Sequence, residues 1–324
     1  MIEIHLPDPE RELAVRVERA PGAAAAGPPA LAAFLAANAG LVDQHLLTAG
    51  ALLCRGFGVD REDLLDELVR SLPGRRMDYV DGNSPRRKLG AGIYTSTEYP
   101  AEFFISMHNE LSYSARWPAR LVFCCVTPAA AGGETPLADS RRILARLDPA
   151  IVEQFRARGV EYVRNLHGGR GMGPSWQTTF ETADRAAVEG FCREGGVSCR
   201  WLDDGALRLS HVRPAVAAHP RTGEAVWFNQ ADQFHPSTHP KPVFDAMMAL
   251  YKGREDRLPQ QSRFGDGAPI PLATLESVRA TIAGQIRCFP WQAGDVLVVD
   301  NMLVCHGRMP FRGPRKILVS MMDV

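Results

Sequence analysis

An uninterrupted apolar run, Leu121–Thr127, sits between Pro118 and Pro128. Seven residues are too few for a core helix, and a proline near each end closes the element, so the run reads as a buried strand. Near the C-terminus, Asp295–Val299 is nearly all β-branched and reads the same way. A turn at Asp300–Asn301, the segment Met302–Cys305 and the final run Arg315–Met322 follow. Earlier, Ala51-Leu-Leu-Cys-Arg forms a short buried strand stopped by Gly56, and 224–229 is a short strand after the turn Thr222-Gly223.

Helical spacing appears between these runs. Pro29 opens a helix expected to continue through Leu41–Ala49, because proline is tolerated in a first turn. A second helix spans Asp60–Leu72, with Asp60 as its N-cap. Ser140–Arg158 is helical, with Asp148-Pro149 opening its second half, and 241–252 and 272–284 follow. Strands with helices interspersed predict a mixed α/β (α+β) fold. The expectation is one domain over 1–324, a double-stranded β-helix (jelly-roll) core with flanking helices, in which 1–50 is an Ala-rich N-terminal extension whose structure the sequence leaves open.

Charge excludes some partners. The 37 basic and 37 acidic side chains cancel and form no basic block, so neither nucleic acid nor an anionic membrane is expected. The seven cysteines, at 54, 124, 125, 192, 199, 288 and 305, form no C-x-x-C pair, and Cys124 and Cys125 read as core residues. The opening MIEIHLPDPE lacks the basic start of a signal peptide, and no apolar run reaches the roughly 18 residues of a membrane span. A cytoplasmic setting is therefore expected. Trp117, Trp176 and Trp227 are assigned to packing, and His167, His211, His235 and His239 to loops or the surface.

The triplet His108-Asn109-Glu110 carries possible chemistry. On an extended strand, residues i and i+2 share a face, so imidazole and carboxylate project side by side. Such triplets also arise as ordinary hydrogen-bonded histidines. A second histidine from a distant strand would complete a 2-His-1-carboxylate face, which leaves positions open on an octahedral Fe(II). His306 is placed for this. It closes a β-run and precedes Gly307 and an arginine-bearing strand.

Several ordered segments extend the pattern: IYTSTEYP (93–100), MHNELSY (107–113), GGETPLADS (132–140), VWFN (226–229) and GDVLVVDNMLVCHGRMPFRGPRKILVSM (294–321). Through them the chain resembles the taurine dioxygenase-like (TauD/TfdA) family of Fe(II)/2-oxoglutarate oxygenases, and within it the syringomycin-type amino-acid hydroxylases. The resemblance implies His108, Glu110 and His306 as ligands of Fe(II), with 2-oxoglutarate and O2 as co-substrates. It implies Thr135 and Arg315 as partners of the distal carboxylate of 2-oxoglutarate, and a planar guanidinium fork suits a carboxylate. Most of the family carries Asp where this chain has Glu110, as in the clavaminate synthase-like branch. The related halogenases have Gly or Ala there, so Glu110 points to oxygenation. The sulfonate-oxidising members carry a second arginine where this chain has Val319, which argues against a small sulfonate.

The implied reaction is oxidative decarboxylation of 2-oxoglutarate to succinate and CO2, coupled to hydroxylation of an unactivated carbon. Desaturation, epoxidation or cyclisation would use the same ligands. The implied substrate is a small amino-acid-like molecule of specialised metabolism such as antibiotic biosynthesis, free or presented on a peptidyl carrier protein. Candidate substrate contacts are Glu98, Asn229, Arg308 and Arg312. Solvated charges (Glu98, Arg308, Arg312) and a capping role (Asn229) are the competing readings. A non-catalytic jelly-roll binding protein is the contrasting class.

Overall fold

The apolar runs become strands of a single nine-stranded sheet. The computed structural model describes residues 2–8, 10–20, 27–83, 86–90, 92–97 and 99–324. Along the sheet lie Ile2–His5, Val15–Arg19, Ala51–Arg55, Val296–Asp300, Arg120–Thr127, Lys316–Asp323, Ile93–Thr95 and Lys88–Gly90, with Arg75–Met77 also paired to Lys316–Asp323. Val296–Asp300 runs antiparallel between Ala51–Arg55 and Arg120–Thr127, so the C-terminal third is threaded into the centre.

Alternation explains why these strands read as continuous apolar runs. Leu53, Leu121, Phe123, Leu297, Val299, Ile317 and Val319 point into one core, towards the site. Their neighbours Leu52, Cys54, Val122, Cys124, Val296, Val298 and Leu318 point into another. Successive side chains leave a strand on opposite faces, so a sheet buried on both faces needs apolar residues at every position. The helices Pro28–Ala37, Ala39–Ala49 and Glu62–Ser71 cover the second face through Leu31, Leu35, Val42, Leu46, Leu65 and Leu68.

A three-stranded sheet supports the site. Val304–Arg308 lies between Leu137–Asp139 and Ile105–His108, with His306 opposite both Leu137 and His108. A separate four-stranded sheet holds Ser198–Trp201, Leu207–Arg213, Val160–Leu166 and Gln260–Phe264. This is the expected mixed α/β jelly-roll architecture.

Two local expectations need correction, and the N-terminal extension acquires structure. The first helical stretch is two helices bent by 85°. At the break, the Asn38 backbone (φ −116°, ψ 27°) leaves the helical region, and its side-chain amide donates to the Phe34 carbonyl at 2.8 Å. The next helix starts at Glu62 with Arg61 at the N-cap and no side-chain cap, so Asp60 does not cap it. The strands Ile2–His5 and Val15–Arg19, inside the supposed extension, pair with each other and with Ala51–Arg55. Elsewhere the punctuation holds: Asp148 caps Pro149–Arg158 by accepting from the Ala150 amide at 2.8 Å.

Among the described residues no single helix is long and apolar enough to cross a membrane. The bent pair meets the length and composition test only jointly, and its apolar residues Leu31, Leu35, Val42 and Leu46 are buried in the core. The seven cysteines are free thiols. Trp176 and Trp227 are buried and Trp117 packs against the core, as expected.

Candidate metal centre

His108, Glu110 and His306 converge. One donor atom from each lies within 4.8 Å of the other two, and all three residues are buried. His108 Nε2 is 3.9 Å from Glu110 Oε2, and the two imidazole centroids are 4.5 Å apart. Strand pairing brings the histidines together across almost two hundred residues of sequence, because His306 is the cross-strand partner of His108.

Glu110 arrives by a different route from the one expected. The strand ends at His108, and Glu110 lies in the following turn, where Leu111 has φ 56°. The side chain of Asn301 holds that turn. Its Oδ1 accepts from the Glu110 amide at 2.7 Å, and its Nδ2 donates to the carbonyls of Glu110 and Pro118, each at 2.9 Å. Asn109 points away from the site and donates to the Asn301 carbonyl at 2.7 Å and to Ser140 Oγ at 3.2 Å.

The protonation states suit a cation. His108 Nδ1 lies 2.8 Å from the Ser106 carbonyl, a contact only a protonated Nδ1 can make, which leaves Nε2 with its lone pair. Burial pushes the His108 imidazole below its usual range, against the pull of Glu110. Burial pushes His306 well below it, aided by His108 and Arg86. His306 Nδ1 is buried with no hydrogen-bond partner. Two neutral imidazoles and one carboxylate meeting in a buried space are the donor set of a non-haem Fe(II) centre with open positions, so the residues present fit that ion.

Thr135 and Arg315 lie beside the centre. They line one cavity with His108, His306, Phe123 and Ile317. Thr135 Oγ1 accepts from Trp291 Nε1 at 3.1 Å. Arg315 donates from Nε to the Gly133 carbonyl at 2.8 Å and from Nη1 to Ser96 Oγ at 3.4 Å. Burial, with Arg308 nearby, lowers the Arg315 guanidinium to about 10, so it stays charged at neutral pH. The two glycines before Thr135 are required by geometry. Gly132 (φ +71°) would place a Cβ 2.2 Å from the Pro310 carbonyl oxygen, and Gly133 (φ +75°) would place one 3.0 Å from Arg315 Cδ.

The substrate contacts expected from sequence fare differently. Glu98 lies outside the described residues. Asn229 is buried, but both ends of its amide serve backbone: Nδ2 donates to the Ala215 carbonyl and Oδ1 accepts from the Ala231 amide, each at 3.0 Å. It pins a turn, the capping role that competed with substrate contact. Arg308 lines the cavity but spends its terminal nitrogens on the carbonyls of Tyr99, Pro100 and Phe103, at 2.8, 2.6 and 2.9 Å. It ties down the segment 99–103. Arg312 is exposed on the two-residue strand Phe311–Arg312 and does not line the cavity. Val319 is fully buried in the core.

Of the histidines expected in loops or at the surface, His211 departs from that expectation, whereas His235 and His239 lie in loops. His211 is buried within Leu207–Arg213 and its Nε2 donates to the Tyr113 carbonyl at 2.6 Å. His235 and His239 line a separate 780 Å³ cavity beside the helix Lys241–Leu250.

Arg86 is the residue sequence reasoning missed. It sits in NSPRRKLG, which reads as a solvated basic loop. In the fold its side chain is 3% exposed, and its Nη2 donates to Glu110 Oε2. Its guanidinium carbon lies 4.6 Å from the Tyr79 ring centroid. Burial opposes its charge, yet Glu110 and Tyr79 hold it above the ordinary arginine value. Asn301 was read only as a turn residue. A buried asparagine just before the strand that carries His306 was the available signal.

Known proteins align with this arrangement. The model of the taurine catabolism dioxygenase TauD, TfdA family matches residues 17–322. The dapdiamide synthesis protein DdaC of Enterobacter agglomerans is 39% identical over 282 residues, 87% of this chain and 84% of that one. A clavaminate synthase-like protein of Arabidopsis thaliana is 30% identical over 291 residues, covering 86% and 83%. In structure, PvcB of Pseudomonas aeruginosa superposes with a TM-score of 0.57 at 16% identity, over 100% of this chain and 92% of that one. AAD-2, determined with Mn(II) and N-oxalylglycine, gives 0.53 at 13%, over 100% and 98%. At these identities the structural likeness speaks for the fold.

Proposed function

The chain belongs to the TauD, TfdA family, and from that premise we propose that it hydroxylates an unactivated carbon of an amino acid, free or tethered as an aminoacyl group to a peptidyl carrier. It is an Fe(II)- and 2-oxoglutarate-dependent dioxygenase, as that membership entails. In this reading residues 1–324 act as one catalytic unit. His108, Glu110 and His306 hold the iron, and Thr135 and Arg315 hold the distal carboxylate of 2-oxoglutarate. The observation that carries it is the meeting of three donor atoms within 4.8 Å beside a buried guanidinium that stays charged.

When bound, iron would activate O2, and 2-oxoglutarate would give up two electrons in becoming succinate and CO2, leaving O2's remaining oxidising power for the substrate. The protein's part is orientation and exclusion of water. Asn301 fixes the backbone of Glu110, and Ser106 fixes the tautomer of His108. Phe123, 5.2 Å from the His306 ring, and Ile317 form apolar wall. Arg308, which lines the cavity, anchors the segment 99–103. The buried Val319 supports a substrate other than a sulfonate. A biosynthetic role is supported by a relative named for dapdiamide synthesis.

Anaerobic addition of Fe(II) and 2-oxoglutarate should give a weak visible charge-transfer band, absent in His108→Ala. Amino acids offered free and as carrier thioesters should then stimulate succinate release. A well-folded protein without the band, or a band that persists in His108→Ala, overturns the ligand assignment.

A further inference from the structure

We infer that Arg86 recognises the substrate and that the group it takes is a carboxylate; this rests on the metal centre proposed above. The cavity at His108 and His306 is lined by three arginines, Arg86, Arg308 and Arg315, and among its described lining residues there is no acid. Each guanidinium needs an anion or a set of acceptors, because an isolated buried charge is strongly disfavoured.

Two of the three have their terminal nitrogens or charge engaged elsewhere, although Arg308 Nε, like Arg86 Nε, has no hydrogen-bond partner. Arg308 donates to three backbone carbonyls. Arg315 holds the Gly133 carbonyl and faces the space assigned to 2-oxoglutarate. Arg86 has one anionic partner, Glu110, and a divalent metal lays claim to the same carboxylate. The charges of a loaded centre can be summed. A divalent cation, Glu110, dianionic 2-oxoglutarate and Arg315 come to zero; Arg308 adds one positive charge met by backbone carbonyls, and Arg86 adds another. Arg86 is then one positive charge without a counter-charge, in a position 3% exposed to solvent.

Its donors are set for a planar anion. The guanidinium rests over the Tyr79 ring, so its partners must approach along its edge. On that edge Nη2 meets Glu110, while Nε is buried with no hydrogen-bond partner. A carboxylate accepts two parallel N–H bonds from such a fork, and a neutral amide offers only one acceptor oxygen. The substrate class is therefore a small molecule bearing a free carboxylate. A free amino acid has one at its α-carbon. An aminoacyl thioester qualifies only with an acidic side chain.

The test loads the full-length protein with Co(II) and N-oxalylglycine, whose visible bands report the environment of the metal. Acetate and its neutral isostere acetamide are titrated at constant ionic strength. Acetate should perturb the bands saturably and acetamide should not. Arg86→Gln should weaken the acetate response at least about tenfold, the usual worth of a charge-assisted pair. Arg86→Lys, which keeps the charge and loses the fork, should fall between. Equal responses to acetate and acetamide, or an acetate response unchanged in Arg86→Gln, overturn the inference and leave the metal centre standing. If both variants fail to bind cobalt while remaining folded, Arg86 is a positioning residue for Glu110 and the inference fails. If the wild type forms no cobalt complex, the metal-centre reading falls and takes this inference with it.

Discussion

Replacing Asn301 by leucine tests how the centre is held. The asparagine is fully buried and lies outside the donor set. Its side chain makes three hydrogen bonds, one from the Glu110 amide and two to the carbonyls of Glu110 and Pro118. Leucine keeps much of the shape and leaves no space for a rescuing water, so three buried backbone groups lose their partners. At about 1–3 kcal/mol for each unsatisfied group, with some relaxation, the loss should be about 3–5 kcal/mol. In a chain of 324 residues that lowers Tm by roughly 4–7 °C, at about 2.1 cal/mol/K of unfolding entropy per residue. The same change frees the turn that aims Glu110, so metal binding should weaken as well. At a metal concentration about 100 times Kd, binding adds about 2.7 kcal/mol of stability, and a tenfold weaker site gives up about 1.4 kcal/mol of that. Thermal denaturation with and without Mn(II) reads both quantities. A Tm within about 1.5 °C of the wild type (roughly 1 kcal/mol) refutes the energetic argument. A large drop with the full Mn(II)-induced gain retained refutes the claim that Asn301 positions the ligand.

Three further outcomes are expected. Burial, with Arg164 and Arg213 nearby, lowers His211 to about 4, below its unfolded value of about 6.5. The unfolded chain therefore binds a proton first as pH falls, so stability is fully present above pH 6.5 and declines towards pH 4. His211 accounts for about 3 kcal/mol of this, and urea titrations of His211→Gln should show a flatter pH dependence there; an unchanged slope contradicts it. Gly133→Ala forces a side chain into a left-handed backbone and against Arg315 Cδ, and should raise the KM for 2-oxoglutarate about tenfold or more, whereas an unaltered KM would detach the turn from co-substrate binding. Asp81→Ala leaves the Arg164 guanidinium, 1% exposed, without its carboxylate partner and should cost about 3–5 kcal/mol in urea unfolding; a cost below about 1 kcal/mol would mean the pair is dispensable.

Sequence alone determined the elements with a local or periodic signal. Leu121–Thr127 and Asp295–Val299 were legible as strands because a sheet buried on both faces demands apolar residues at every step. Asp148-Pro149 and Gly132-Gly133 were legible because a cap and a left-handed turn each require particular residues. His108, Glu110, His306, Thr135 and Arg315 were nominated by ordered motifs, and the fold brings them to one cavity. Asp60 misled, since a residue with capping chemistry lay next to the true helix start.

Tertiary structure decided what depends on partners remote in sequence. Arg308 and Asn229 carry the chemistry of substrate contacts, but their polar atoms are consumed by backbone groups that no local pattern reveals. Arg86 and Arg87 are adjacent basic residues in a polar loop, and only the folded chain carries Arg86 to Glu110. The same holds for Asn301, whose amide matches the backbone of Glu110 across 191 residues. Periodicity records which face of an element is buried. It does not record which side chain from another part of the chain will meet that face, and the identity of that neighbour is what turns a buried histidine into a metal ligand and a basic loop into a candidate substrate anchor.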